Sequence, residues 1–186
     1  MKRKEYNSAP LPFQGQKRKF AKEFAKVLQQ YPDDTVFVDL FGGSGLLSHI
    51  TKCQKPNATV VYNDFDNYRQ RLAHISQTNE LLAAIREILK DVPNVVFIID
   101  PPYLSTDTAS YNMNWQLSDY LDVLLVLFNH SFVYFTSNKS SIIELCEWIA
   151  RNSGMNNPFE RCNKVEVNTS MNYNSAYTDI MLYTTL

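Results

Sequence analysis

Two hydrophobic periods divide the chain. Short runs rich in β-branched and aromatic residues occur at 35–38, 58–62, 95–99 and 131–136, and each has the length and composition of a strand. Between them apolar residues recur at helical spacing. Phe20, Phe24, Val27 and Leu28 mark one face of a helix from Lys17 to about Tyr31. A helix follows at Leu46–Ile50, and two more are expected over 68–76 and 79–90, the second with Leu81, Leu82, Ile85, Ile88 and Leu89 on one face. Residues 120–128 predict a further helix. So do residues 140–151, with Ile142, Ile143, Leu145, Cys146 and Ile149 inward. Lys164–Asn168 and Thr178–Tyr183 predict an antiparallel closing pair, with 171–177 as their hairpin. Strand alternating with helix, then a hairpin, predicts one α/β domain over 1–186 on a mostly parallel sheet, with residues 1–10 an unstructured basic terminus.

The chemistry gathers where the apolar runs stop. Val95–Ile99 is wholly apolar and ends in Asp100-Pro101-Pro102-Tyr103. The prolines forbid both a ladder and a helix, so the chain turns out at the strand's carboxyl end, where open α/β sheets place ligands. A carboxylate and a proline carbonyl are both acceptors and can hold the two hydrogens of an exocyclic amino group, while Tyr103 can stack on the base that carries it. The run at 35–38 leads into Asp39-Leu40-Phe41-Gly42-Gly43-Ser44-Gly45 and then a helix, a strand–glycine turn–helix unit of the nucleotide-binding kind, without the lysine of a phosphate-cradling loop. The run at 58–62 ends at Asn63-Asp64-Phe65, where Asp64 can accept from a ribose or cap the helix that follows. Ser137-Asn138 ends the 131–136 run on the same sheet edge, within reach of a substrate. Residues 104–116 form a polar loop with Tyr111, Asn112, Asn114 and Trp115. It suits closure over a base by stacking, and equally an ordinary surface loop.

Composition adds few constraints. The chain has 186 residues, 45% hydrophobic and 20% charged, with net charge -1, so a nucleic-acid contact must come from a local patch. Such a patch exists: Lys2, Arg3, Lys4, Lys17, Arg18, Lys19, Lys22 and Lys26 face only Glu5 and Glu23 within the first thirty residues. Cys53, Cys146 and Cys162 lie far apart with no CxxC pair, which argues against zinc and against a disulfide framework. A cytoplasmic location is expected, and nothing approaches the length of a membrane span. His49, His74 and His130 are scattered and draw no catalytic role.

Asp100-Pro101-Pro102-Tyr103 resembles the catalytic motif of the amino-methyltransferases. Asp39, Phe41, Gly43 and Gly45 resemble the S-adenosylmethionine motif of the same enzymes, and Pro12-Phe13-Gln14-Gly15-Gln16-Lys17 resembles their N-terminal methionine-binding motif. With Asp64, these segments run in the order found in Dam-type DNA adenine-N6 methyltransferases. The resemblance implies a Rossmann-like S-adenosylmethionine-dependent methyltransferase fold and methyl transfer to adenine N6 in DNA, with no metal. It implies cofactor contacts from Phe13, Lys17, Asp39, Phe41, Gly43, Gly45, Asp64, Phe65 and Asp100, with Asp100, Pro101, Pro102 and Tyr103 as the catalytic set. One departure stands out. Dam-type enzymes carry a target-recognition insertion and a further strand between the second-strand acid and Asp-Pro-Pro-Tyr, whereas here only residues 67–94 intervene. Two alternatives stay open: an RNA or cytosine-N4 amino-methyltransferase of the same fold, and a cofactor-binding subunit that needs a partner for target recognition.

Overall fold

All five residues of Val95–Ile99 are buried, as a central strand covered on both faces requires. The computed structural model describes residues 17–63, 89, 91–105, 115–172 and 175–185. Among these, six strands form one sheet: β1 (Val36–Asp39), β2 (Thr59–Tyr62), β3 (Val95–Ile99), β4 (Ser131–Ser137), β5 (Asn163–Asn172) and β6 (Ser175–Tyr183). Their order is β2-β1-β3-β4-β6-β5. The first four are parallel to one another, and β6 runs antiparallel between β4 and β5. From β1 the chain passes to β2 on one side and resumes at β3 on the other. The carboxyl ends of β1 and β3 therefore flank a topological switch point, the place where such sheets open a crevice. The fold is the mixed α/β sheet with an antiparallel C-terminal hairpin that the hydrophobic pattern predicts.

Alternation along the strands builds two cores. Phe37, Val96, Ile98, Val133, Phe135 and Met181 point to one layer, where α1 (Ala21–Leu28) and α2 (Leu46–Gln54) bury Phe24, Val27, Leu28, Leu46, Leu47 and Ile50. Val38, Phe97, Ile99, Phe132, Tyr134, Ile180 and Leu182 point to the other, under Tyr120, Val123, Leu124 and Leu127 of α3 (Leu117–Leu127) and Ile142 and Cys146 of α4 (Ile142–Ser153). The sheet is thus the middle of three layers.

Three boundaries differ from the sequence expectation. Lys17–Phe20 is a 3-10 turn that leads into α1. The 120–128 helix starts earlier, at Leu117, because Gln116 and Asp119 form a reciprocal capping box. The hairpin turn expected at 171–177 is far shorter, since β5 and β6 stay paired out to Asn172 opposite Ser175. Side-chain pairs across the ladder, such as Thr178 Oγ1 donating to Asn168 Oδ1 at 3.1 Å, outweigh the poor strand propensity of the asparagines. The helices expected over 68–76 and 79–90 lie outside the described residues, apart from Leu89, which is helical.

Phe97 is fully buried and meets His130 edge to face at 5.0 Å between ring centroids. Phe97→Ala is expected to cost about 3–5 kcal/mol of stability through lost burial and a cavity, read as a drop in the urea midpoint at unchanged slope.

Candidate active site

The glycine turn is bound to the end of β2 before any side chain comes into play. Gly42 N–H donates to the Asn63 carbonyl at 2.7 Å, Asn63 N–H to the Asp39 carbonyl at 2.9 Å, and Asn63 Nδ2 to the Leu40 carbonyl at 2.9 Å. Tyr62 lays its ring over the turn and donates its hydroxyl to the Gly43 carbonyl at 2.7 Å. A Cβ at position 42 would collide with that ring, so the ring can lie over the turn in this way only because position 42 is glycine. Gly45 has φ +71° and starts α2.

Asp39, the last residue of β1, is fully buried. Ser48, in the first turn of α2, donates to its Oδ2 at 2.6 Å, which docks the helix on the strand end. Oδ1 has no hydrogen bond of good geometry, although the Phe41 and Ser48 amides still favour the charged form. Burial dominates, Asp100 adds like-charge repulsion, and the carboxyl is raised to about 7.

Asp100 follows β3 at the same edge. Lys17 Nζ lies 2.8 Å from its Oδ2, with 7% exposure left on the lysine side chain and 18% on the aspartate. Lys17 is therefore no surface lysine. Its ammonium also stands 5.5 Å from the centre of the Tyr103 ring and 5.8 Å from that of Phe135. Desolvation raises the Asp100 carboxyl; the charge and hydrogen bond of Lys17 oppose this, and Asp179 pushes it further up.

Pro101 and Pro102 are buried. Tyr103 donates its hydroxyl to Asp179 Oδ1 at 3.1 Å, and Thr169 Oγ1 donates to Asp179 Oδ2 at 3.0 Å. Burial and the charges of Asp100 and Asp179 drive the phenol far above its ordinary range, so it stays protonated and donates. Phe41 packs against Trp115 at 5.5 Å, and Trp115 against Tyr120 at 5.0 Å. The indole is thus committed to the core.

The fold gathers Lys17, Asp39, Phe41, Gly43, Gly45, Asp100, Pro101, Pro102 and Tyr103 at one edge of the sheet. Phe13, Asp64 and Phe65 lie outside the described residues, as do Tyr111, Asn112 and Asn114. Asn138 binds β6: its Oδ1 accepts from Thr178 N–H, and its N–H donates to the Thr178 carbonyl, both at 2.9 Å. Asp179 joins the site unannounced by the sequence, where it is a lone acid in a strand run. Among the described residues no group of histidine, cysteine or carboxylate side chains could hold a metal, and no helix is long and apolar enough to cross a membrane.

Residues 13–94 match the family model of the D12 class N6 adenine-specific DNA methyltransferase, and the match ends short of Asp100. A Haemophilus influenzae protein named "Putative methyltransferase" is 27% identical, over 97% of this chain and 93% of the relative. The chain is similar to that relative over nearly its whole length. That alignment spans 277 positions against the 186 residues here, so the relative carries internal segments that this chain lacks. Two solved structures are similar at 15% identity. The protein-(glutamine-N5) methyltransferase (release factor-specific) of Alicyclobacillus acidocaldarius covers 87% of this chain and 88% of its own, with a TM-score of 0.47. The precorrin-6y C5,15-methyltransferase of Geobacter metallireducens covers 95% and 94%, with a TM-score of 0.48.

Asp39 sets a pH dependence. Its folded value, about 7, exceeds the ordinary 3.8, so the native state binds the proton more tightly than the unfolded chain. The stability this group contributes is full below pH 4 and is lost as pH rises through 7. Between pH 5 and pH 8 the cofactor-free protein is expected to lose roughly 3 kcal/mol from this residue. Asp39→Asn should remove that part of the slope, and chemical denaturation at the two pH values measures it.

Proposed function

We propose that this chain is an S-adenosylmethionine-dependent DNA methyltransferase acting on adenine N6. The observation that carries the reading is the Asp100–Tyr103 turn at the switch point, with its carboxylate, its proline carbonyls and its aromatic ring beside the Asp39 glycine turn. The match of residues 13–94 to the D12 class model supports it independently of that turn.

The residues fit the cofactor. A buried carboxylate with an unpartnered oxygen, raised to about 7, is relieved by a cationic ligand, and S-adenosylmethionine carries both an ammonium and a sulfonium. Asp39 would hold such a cation, Gly43 and Gly45 would let the backbone approach, and Phe41 would line the site. Phe13, Asp64 and Phe65 complete the set by resemblance. Lys17 sets its ammonium against Asp100, and by resemblance the same ammonium would meet the methionine carboxylate. When bound, the cofactor supplies a methyl on sulfur, which departs with the bonding pair as a neutral thioether.

Asp100 acts on the acceptor. Lys17 occupies its Oδ2, which leaves Oδ1 for one amino hydrogen and the Pro101 carbonyl for the other. Drawing both N–H bonds away from the ring turns the nitrogen lone pair toward the methyl. Once methylated, the nitrogen sheds a proton, and the raised proton affinity of Asp100 fits it to take that proton. Tyr103 offers its ring face to the base, and Pro102 fixes the turn that presents it. An adenine inside a duplex cannot reach this edge, so it is flipped out.

Arg18, Lys19 and Lys22 are exposed and follow directly on Lys17, which anchors the segment in the site. They are placed to hold phosphates beside the flipped base. A second reading, in which a partner chain supplies target recognition, is favoured by the internal segments that the Haemophilus influenzae relative has in excess.

Two measurements test this. Asp100→Ala should fold and bind cofactor yet transfer methyl several orders of magnitude more slowly, because the lost contacts are made mainly in the transition state. Transfer from labelled S-adenosylmethionine to mixed-sequence DNA, with mapping of the modified base, reads it; label on cytosine or on RNA alone would overturn the adenine assignment. Removing the charge of Arg18 or Lys19 should flatten the dependence of DNA affinity on log salt by about one unit each, and an unchanged slope removes them from the phosphate path.

A further inference from the structure

We infer that Asp179 is a positioning residue of the target-base site, fixing the Tyr103 ring through its hydroxyl. The inference rests on the function proposed above. Tyr103 lies in an irregular turn after two prolines that have no N–H to give, so no ladder determines where its ring stands. Side-chain contacts do so instead, among them the Lys17 ammonium near its face and the hydrogen bond from its hydroxyl to Asp179 Oδ1.

Asp179 is suited to this by where it sits. On β6 it pairs with Ser137 of β4 on one side and with Val167 of β5 on the other, so its backbone is held from both flanks. Its second oxygen accepts from Thr169 Oγ1 at 3.0 Å. Both carboxylate oxygens are thereby used, and the side chain ties β5 and β6 to the turn that follows β3. Since the phenol donates to Asp179, the substrate meets the ring of Tyr103 rather than its hydroxyl. A merely structural acceptor need not be charged, and this charge has a cost, because it stands near Asp100 and makes that carboxylate harder to ionise. A carboxylate accepts a phenolic hydrogen more strongly than a neutral group does, which suits a ring that must keep one plane while bases enter and leave.

The experiment compares the parent with Asp179→Ala, Asp179→Asn, Tyr103→Phe and the Asp179→Ala/Tyr103→Phe pair. All are assayed for methyl transfer to mixed-sequence duplex DNA, with cofactor affinity by calorimetry and folding by thermal melting. Asp179→Ala is expected to lower kcat about 10- to 100-fold with cofactor affinity unchanged, as for a reacting partner displaced by a fraction of an ångström. Tyr103→Phe, which keeps the ring and loses the tether, should behave alike. The double variant should be no slower than the slower single, because both remove one contact. Asp179→Asn keeps an acceptor and should recover part of the loss. It should also move the acid limb of kcat to lower pH, since Asp100 then faces Lys17, Asp39, Tyr103 and Tyr134 without Asp179's charge. A folded, cofactor-binding Asp179→Ala at parental kcat overturns the inference, as do fully additive losses in the double variant. A parent that methylates no nucleic acid overturns the proposed function and the inference with it, whereas an active parent with an indifferent Asp179 overturns the inference alone.

Discussion

The site depends on one ion pair. Sheet topology sends β1 and β3 to the same edge, and each ends in an aspartate that the two cores desolvate. Two buried carboxylates within each other's field would tend to protonate, and Asp39 shows how strong the tendency is. The Lys17 ammonium at 2.8 Å from Asp100 opposes that tendency on one of them without outweighing burial. Asp100 gains a counter-charge and a hydrogen bond, while Asp39 has a serine hydroxyl and an oxygen without a partner. The two acids thus differ in their partners: Asp100 faces an ammonium, and Asp39 faces a hydroxyl and backbone amides.

The same pair links segments far apart in sequence. Lys17 opens the 3-10 turn that feeds α1, so the helix that buries Phe24 and Leu28 also delivers the ammonium. Asp179 does the corresponding work from the far end of the chain, joining the hairpin to Tyr103. The pocket edge is held by three tethers, Ser48–Asp39, Lys17–Asp100 and Tyr103–Asp179, each reaching from a different element.

What could be read in the sequence follows the range of the forces involved. Strand ends are legible because burial on both faces demands an unbroken apolar run and a turn demands glycine or proline; that is how Asp39, Gly43, Gly45 and Asp100 stand out. The 3-10 start, the capping box at Gln116 and the long β5–β6 ladder escape because they rest on local geometry or cross-strand pairs that no period reveals. Lys17 is marked by its motif but not by its partner, since its separation from Asp100 along the chain carries no sign of contact. Trp115 looks like a loop aromatic and is in fact packed between Phe41 and Tyr120. Asp179 was invisible for the plainest reason: one acid in a strand has no spacing to betray it.

The placement of β6 has a consequence for the order in which the molecule is completed. β6 is synthesised after β5 yet lies between β5 and β4. While a ribosome has released residues only as far as β5, that strand has no native neighbour to join, and the sheet ends at β4. Tyr103, made long before, waits without its tether until Asp179 emerges. Vectorial synthesis therefore lets β1, α2 and β2 come together first, and ties down the turn after β3 only when the late strand slides into the sheet. This is a long-range pairing of the kind that slows folding. A growing chain thus holds the glycine turn of the proposed cofactor site well before it holds a fixed Tyr103 in the proposed base site.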